Sequence, residues 1–187
     1  KGDATPAQFA RLRDMARLDA VDVTTLRSNR LQCANGYDID LDDGSTHYLI
    51  ENNLCLQGGI KLREGFFRTV RNNIAPLFSP HVWYPDSRDV VTNNVLLGRN
   101  AYDPRGMTMD RAKDGTFDFN LFAAFTVSEE LRRLGFDRHS LCADPEFVAP
   151  ATGDYRVKPG SPAERIGFAN FPMDRFGVVS PALKARA

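Results

Sequence analysis

This sequence has few cysteines, one tryptophan, little lysine and no long apolar run. The three cysteines, Cys33, Cys55 and Cys142, make no CxxC pair, which excludes a disulfide framework and a Cys-based zinc site. They are expected to be buried, reduced thiols that behave as small apolar side chains. No apolar stretch approaches the roughly 18 residues needed to cross a bilayer, so no membrane span is expected. Of the 24 basic residues five are Lys and 19 are Arg, and 24 acidic residues balance them to a formal net charge of zero. That balance excludes a strongly charged disordered tail and argues against a surface given over to nucleic acid. The remainder is ordinary for a globular chain: 187 residues, 42% hydrophobic and 26% charged, enough for one domain or one domain plus a cap. The chain starts at Lys1 with no Met and no signal-like segment. It is read as a mature protein or a fragment, with N-terminal coils or another domain missing.

One short pattern recurs: an apolar residue, one or two polar residues, Asn, one residue, then an apolar residue. It appears at Leu26–Leu31, Leu49–Leu54, Thr69–Ile74 and Val90–Val95. Aligned on Asn29, Asn52, Asn72 and Asn93, the steps are 23, 20 and 21 residues, and the apolar position is Leu31, Leu54, Ile74 and Val95. The longer frame of a leucine-rich repeat is absent. A parallel β-helix fits the period, with short strands between turns and β-branched and Leu residues pointing inward. Asn at a fixed turn position can stack into an amide ladder along the solenoid. Phe117–Val127 reads as one further coil, with Asn120 in a ladder position.

Thr5 and Pro6 form an N-cap followed by Pro at the first helical position. With Phe9, Leu12 and Ala16 at helical spacing they predict a helix over residues 6–19, a cap on the solenoid end or an insertion. Residues 98–116 are rich in Gly, Asp and Arg and read as a long loop. Ser128-Glu129-Glu130 starts a short helix that Gly135 ends, and Ser161-Pro162 starts another. The expected organisation is therefore a helical segment over 1–20, a parallel β-helix over 21–165 and a tail or linker over 166–187.

Two stretches resemble bacterial right-handed parallel β-helix proteins of the pectin-lyase-like superfamily. One is Gly36–Gly59, continuing through Ile60-Lys61-Leu62-Arg63-Glu64-Gly65. The other is Ala143–Ala163, similar to the family's DPxF, D-[YF]-R and PGSPA segment that closes the C-terminal end. The resemblance implies an all-β, right-handed solenoid of about five coils with an N-terminal helix and a short C-terminal capping segment. It implies a secreted or periplasmic carbohydrate-active protein. The superfamily holds hydrolases, lyases, epimerases, esterases and adhesins, so the fold alone does not give the reaction.

Alternate residues of a strand face opposite sides. With Ile39 and Leu41 inward, Asp38, Asp40 and Asp42 are expected outward, with Asp43-Gly44 in the turn. One coil later Lys61 and Arg63 face out beside Glu64, and one coil later again His81 and Trp83, followed by Tyr84. The expected stacks are Asp40–Lys61–His81 and Asp42–Arg63–Trp83, about 4.8 Å apart per coil. Such stacking fits a solvated face of opposite charges. It also fits chemistry, because crowded carboxylates shift apart in pKa and supply an acid and a base. Asp42-Asp43 resembles the Asp pair of polygalacturonase-like hydrolases, without their surrounding motif. The leading expectation is a glycoside hydrolase on a complex polysaccharide, with Asp40, Asp42 and Asp43 as the acid–base set. Asp38, Glu64, His81, Trp83 and Tyr84 would bind the polysaccharide or oligosaccharide substrate. A lyase with Lys61 as base and Arg63 as charge stabiliser is the alternative, and a non-catalytic glycan-binding solenoid the third. No metal site is expected; Ca²⁺ on the Asp cluster is the one cofactor the oxygen ligands would admit.

Overall fold

In the structure, a computed structural model of the chain, the described residues are 5–80, 84, 86–99, 115–127, 129–177 and 180–184. The chain winds into a parallel β-solenoid of about five coils. Coil one is β1 (Thr24–Arg27), β2 (Arg30–Leu31) and β3 (Ile39–Leu41); coil two is β4 (Tyr48–Glu51), β5 (Leu54–Cys55) and β6 (Ile60–Leu62). Coil three is β7 (Thr69–Arg71), β8 (Ile74–Ala75) and β9 (Phe78–Pro80). Then come β10 (Val90–Thr92), β11 (Val95–Leu96), β12 (Thr116–Asp118), β13 (Leu121–Phe122) and β14 (Leu141–Cys142). Sheet A is β1-β4-β7-β10-β12, sheet B β2-β5-β8-β11-β13-β14 and sheet C β3-β6-β9.

Each sheet sends one file of side chains inward. Sheet A contributes Leu26, Ile50, Val70, Val91 and Phe117 in register. Cys55, Ala75, Leu96 and Phe122 come from sheet B, and Ile39, Leu41, Ile60, Leu62 and Phe78 from sheet C. Their burial is the main stabilising term, at about 25 cal/mol per Å² of apolar surface. Cys55 lies in this core, and burial raises its thiol pKa; Cys33 is half-buried and Cys142 exposed, so only one cysteine is buried as expected.

The turn from sheet A to sheet B has two residues. The first is left-handed in every coil: Ser28, Asn52, Asn72, Asn93 and Phe119 have φ between 54° and 60°, a region Asn tolerates well. The second is Asn29, Asn53, Asn73, Asn94 or Asn120. Their amides form the ladder, each Nδ2 reaching the Oδ1 of the next from Asn29 to Asn120 at 2.9–3.0 Å. The ladder is therefore built on the second residue of each turn, and Asn29 stacks on Asn53 rather than Asn52. The apolar position shifts with it. Leu31 pairs with Cys55, and Leu54, Ile74, Val95 and Leu121 face outward.

That outward file is covered by the C-terminal segment. After the antiparallel hairpin β15 (Phe147–Ala149) and β16 (Asp154–Val157), the chain runs back along sheet B. Val157, Ala163, Ile166, Phe168 and Phe171 bury themselves on Leu54, Ile74, Val95 and Leu121. The outer asparagines fasten it: Asn72 Nδ2 donates to Ala169 O at 2.9 Å, Ala169 N donates to Asn72 Oδ1 at 2.7 Å, and Asn93 Nδ2 donates to Ile166 O. The first part of the expected tail, 166–176, thus lies against the solenoid.

Helix α1 (Pro6–Asp19) has the predicted bounds. Thr5 and Gln8 form a capping box that satisfies its first amides. It runs down the corner between sheets C and A: Phe9 meets Tyr84 at 5.0 Å, Arg13 pairs with Asp86, and Arg17 lies 4.5 Å over Phe67. No residue of α1 is buried.

The ladder ends on Asp137, whose Oδ1 accepts from Ser140 Oγ at 2.7 Å and Asn120 Nδ2 at 3.2 Å, while its buried Oδ2 has no hydrogen-bond partner among the described residues. Burial pushes its pKa up to about 6, against the lowering effect of those two bonds. A carboxyl raised on folding stabilises fully below its unfolded pKa and loses that contribution as pH rises through the folded value. Between about pH 4 and 6 the loss amounts to roughly 3 kcal/mol. Asp137→Asn is therefore expected to flatten the pH dependence of urea unfolding, and to stabilise at pH 7 but not at pH 4. An unchanged pH profile would contradict the assignment.

Candidate functional site

Sheet C carries the charged face. Ile39, Leu41, Ile60 and Leu62 turn inward, which turns Asp40 and Lys61 outward, directly opposite each other in register. Lys61 Nζ lies 2.7 Å from Asp40 Oδ1 and 3.3 Å from Asp42 Oδ1. Arg63 Nη1 lies 3.1 Å from Asp42 and 3.3 Å from Asp43, and its Nε 2.8 Å from Glu64 Oε2. Asp40, Asp42, Asp43, Lys61, Arg63 and Glu64 are thus brought together as one network across two coils. The Lys61 ammonium also lies 5.4 Å from the Tyr37 ring centroid.

The network is layered. The Lys61 side chain is 11% exposed, whereas those of Asp40 and Asp42 are 45% and 48% exposed and that of Asp43 78%. Lys61 sits beneath and Arg63, 34% exposed, beside the carboxylates of Asp40, Asp42 and Asp43, whose oxygens meet solvent, while Glu64 is only 17% exposed. Desolvation alone would raise Asp42, but hydrogen bonds from Arg63 and Lys61 outweigh it and hold its pKa below the ordinary value. Desolvation likewise disfavours the Lys61 ammonium, but its bonds to Asp40 and Asp42 raise its pKa. The crowding expected to lift a carboxyl pKa does not do so at Asp42, because the intervening cations cancel the repulsion.

Asp38 stands apart. Its carboxylate accepts from the backbone N–H of Cys33, Gln57, Gly58 and Gly59 at 2.7–3.2 Å. It staples the turn before β3 to the turn before β6. Gly58 fits there because a Cβ would come within 2.4 Å of Gly36 O. Tyr84 packs between Phe9 and Phe66, with ring centroids at 5.0 and 5.4 Å. Burial raises its hydroxyl pKa, helped by the charges of Glu64 and Asp43.

The third coil departs from the expected register. Ser79, not His81, is opposite Lys61, because the turn from sheet B to sheet C has two residues there and four in the coil before. His81 and Trp83 lie outside the described residues.

Behind the network, Arg68 and Asp89 form a buried pair at adjacent positions of the corner from sheet C to sheet A. Arg68 Nε and Nη2 donate to Asp89 Oδ1 and Oδ2 at 3.0 and 2.6 Å, and Arg68 N donates to Oδ1 at 3.0 Å. Arg68 Nη1 also donates to Arg63 O, so this pair holds the turn that carries Arg63. The pair is not among the residues expected from the sequence. Its signal was the 21-residue separation, which equals one coil.

A cleft of about 590 Å³ opens beside Asp43, lined by Ala16, Ser45, Thr46 and Tyr48 among others. A second, of about 630 Å³, lies between the C-terminal hairpin and residues 170–175, where Asp154 and Arg156 pair at 2.6 Å. Among the described residues no group of three or more His, Cys, Asp or Glu is placed to hold a metal ion, and no helix is long and apolar enough to cross a membrane. No family model, curated protein or solved structure matches the chain.

Proposed function

We propose that the chain is a carbohydrate-binding β-solenoid whose recognition face is the outer face of sheet C. The observation that carries this is the layering of the network: exposed carboxylate oxygens of Asp40, Asp42 and Asp43, held in place by Lys61 beneath them and the half-buried Arg63 beside them. Such a face accepts hydrogen bonds from sugar hydroxyls. A chain lying along the solenoid axis meets a new coil about every 4.8 Å, a spacing close to one sugar ring. Four carboxylates, counting Glu64, against two cations leave the face net negative. That favours neutral or amino sugars and disfavours the uronates that a lyase needs. The lowered pKa of Asp42 counts against it as a general acid, and the raised pKa of Lys61 counts against it as a base.

The test is a panel of neutral, amino and uronate polysaccharides, followed for binding, new reducing ends and the ultraviolet absorbance of unsaturated products. Binding of neutral or amino glycans without either product is expected. Reducing ends would return the assignment to a hydrolase with Asp42 and Asp43. Unsaturated products from a uronate would return it to a lyase with Lys61 and Arg63.

A further inference from the structure

Asparagine carries a chemical liability that this fold distributes unevenly. Its side-chain amide carbon can be attacked by the nitrogen of the next residue, provided that nitrogen can lose its proton and approach. Along the ladder it is held away. The N–H after Asn52, Asn72 and Asn93 donates to Oδ1 of Asn73, Asn94 and Asn120 at 3.0–3.1 Å. The N–H after Asn53, Asn73, Asn94 and Asn120 donates to a carbonyl of the coil before. Asn170 engages both the N–H and the C=O of Val157 with its own side chain. Groups bonded in this way do not reach the attacking geometry without local opening.

Asn35 is the exception. It lies in the exposed turn Ala34-Asn35-Gly36 between β2 and β3. Among the described residues neither its side chain nor the Gly36 N–H has a hydrogen-bond partner. Glycine brings no side chain to hinder the approach. Gly36 also has a φ of 155°, where other residues are strained, so the turn keeps a glycine after Asn35. The far side of the turn is tight. A Cβ at Gly58 would come within 2.4 Å of Gly36 O, and the Asp38 carboxylate holds the backbone N–H of Cys33, Gln57, Gly58 and Gly59.

We propose that Asn35 is a site of spontaneous covalent modification in the folded chain, deamidating through a cyclic imide with Gly36. The Gly36 nitrogen, its proton taken by hydroxide, attacks Asn35 Cγ. The Cγ–Nδ2 bond breaks, and ammonia leaves with a proton from water. Water then opens the imide. Attack at Cγ gives aspartate, and attack at the main-chain carbonyl carbon gives isoaspartate. Either product adds a negative charge to the turn. Isoaspartate also routes the backbone through the former side chain and lengthens it by one methylene. Gly58 leaves no room for that beside Gly36 O. The isoaspartyl form therefore pulls Asp38 from the N–H groups it holds, whereas the aspartyl form leaves the turn in place.

The test is peptide mapping of the full chain after incubation in heavy-oxygen water at several pH values, with and without urea. The folded chain is expected to take up heavy oxygen at Asn35, faster as pH rises, and to gain a site for isoaspartate methyltransferase there. Peptides carrying Asn52, Asn72 and Asn93 are expected to stay unchanged until urea unfolds the chain. Asn35→Gln, which would need a larger ring, is expected to stay unmodified. An Asn35 that survives in the folded chain while the unfolded chain converts overturns the proposal. Conversion of the ladder asparagines at the same rate also overturns it. Limited proteolysis reads the consequence: the isolated isoaspartyl form is expected to be cut between Cys33 and Tyr37 faster than Asn35→Asp. Equal cutting would refute the loosening of the turn.

Discussion

Asp89→Ala is expected to lower the free energy of unfolding by about 3–5 kcal/mol, because it strands a buried charge. Arg68 and Asp89 are 1% and 2% exposed. Without the carboxylate, the guanidinium loses both ionic bonds and its own backbone N–H loses an acceptor. The site is buried, so added salt screens it little. The exposed network behaves differently. Asp40→Ala is expected to change stability by no more than about 1 kcal/mol, as for a partly solvated ion pair. Urea unfolding of both variants checks the contrast. Equal, small effects would mean that the buried pair does not hold the corner. Since Arg68 also donates to Arg63 O, Asp89→Ala should loosen the recognition face as well.

The second large effect is expected in the amide ladder. Asn73 accepts from Asn53 N and Nδ2, and its own Nδ2 reaches Ile50 O, Arg71 O and Asn94 Oδ1, all at 3.0 Å. Asn73→Leu keeps the branching at Cγ but leaves several buried backbone groups unpaired, at about 1–3 kcal/mol each. A loss of about 3 kcal/mol or more in urea unfolding is expected. Asn72→Ala, one residue earlier, removes the fastening of the C-terminal segment and the 2.7 Å bond from Nδ2 to Asn52 Oδ1, and puts Ala at a φ of 54°. It should cost about 1–2 kcal/mol, and it should speed proteolysis near Ala169 before global unfolding. If Asn72→Ala proved the costlier change, the inward placement of the ladder would be wrong.

The helix was legible at both ends because its signals are local: Thr5, Pro6 and Gln8 act within one turn. The solenoid was legible as a period, but its phase was not read correctly. The turns read Ser-Asn, Asn-Asn, Asn-Asn, Asn-Asn and Phe-Asn, so the second position is the one always Asn. Even spacing favoured the first Asn of each pair, and the 24-residue step from Asn29 to Asn53 was lost. The C-terminal covering had a signal too. Leu54-Cys55, Ile74-Ala75, Val95-Leu96 and Leu121-Phe122 place apolar residues on both faces of sheet B, as strands buried on both sides do. The Asp40–Lys61 pairing was readable because each lies between two inward apolar residues and the two are one 21-residue coil apart. The third coil was not, because a shorter turn before β9 is offset by a longer one after it, and the period hides both.

The most direct measurement is calorimetric titration of a neutral or amino-sugar oligosaccharide into the native chain and into Arg63→Ala. Arg63 bridges Asp42, Asp43 and Glu64, so its loss should disorder the acceptor face while leaving the core intact. Saturable binding by the native chain, weakened about tenfold or more in the variant, is the predicted result. Equal binding by both chains, or a preference for uronate oligosaccharides, would contradict the account.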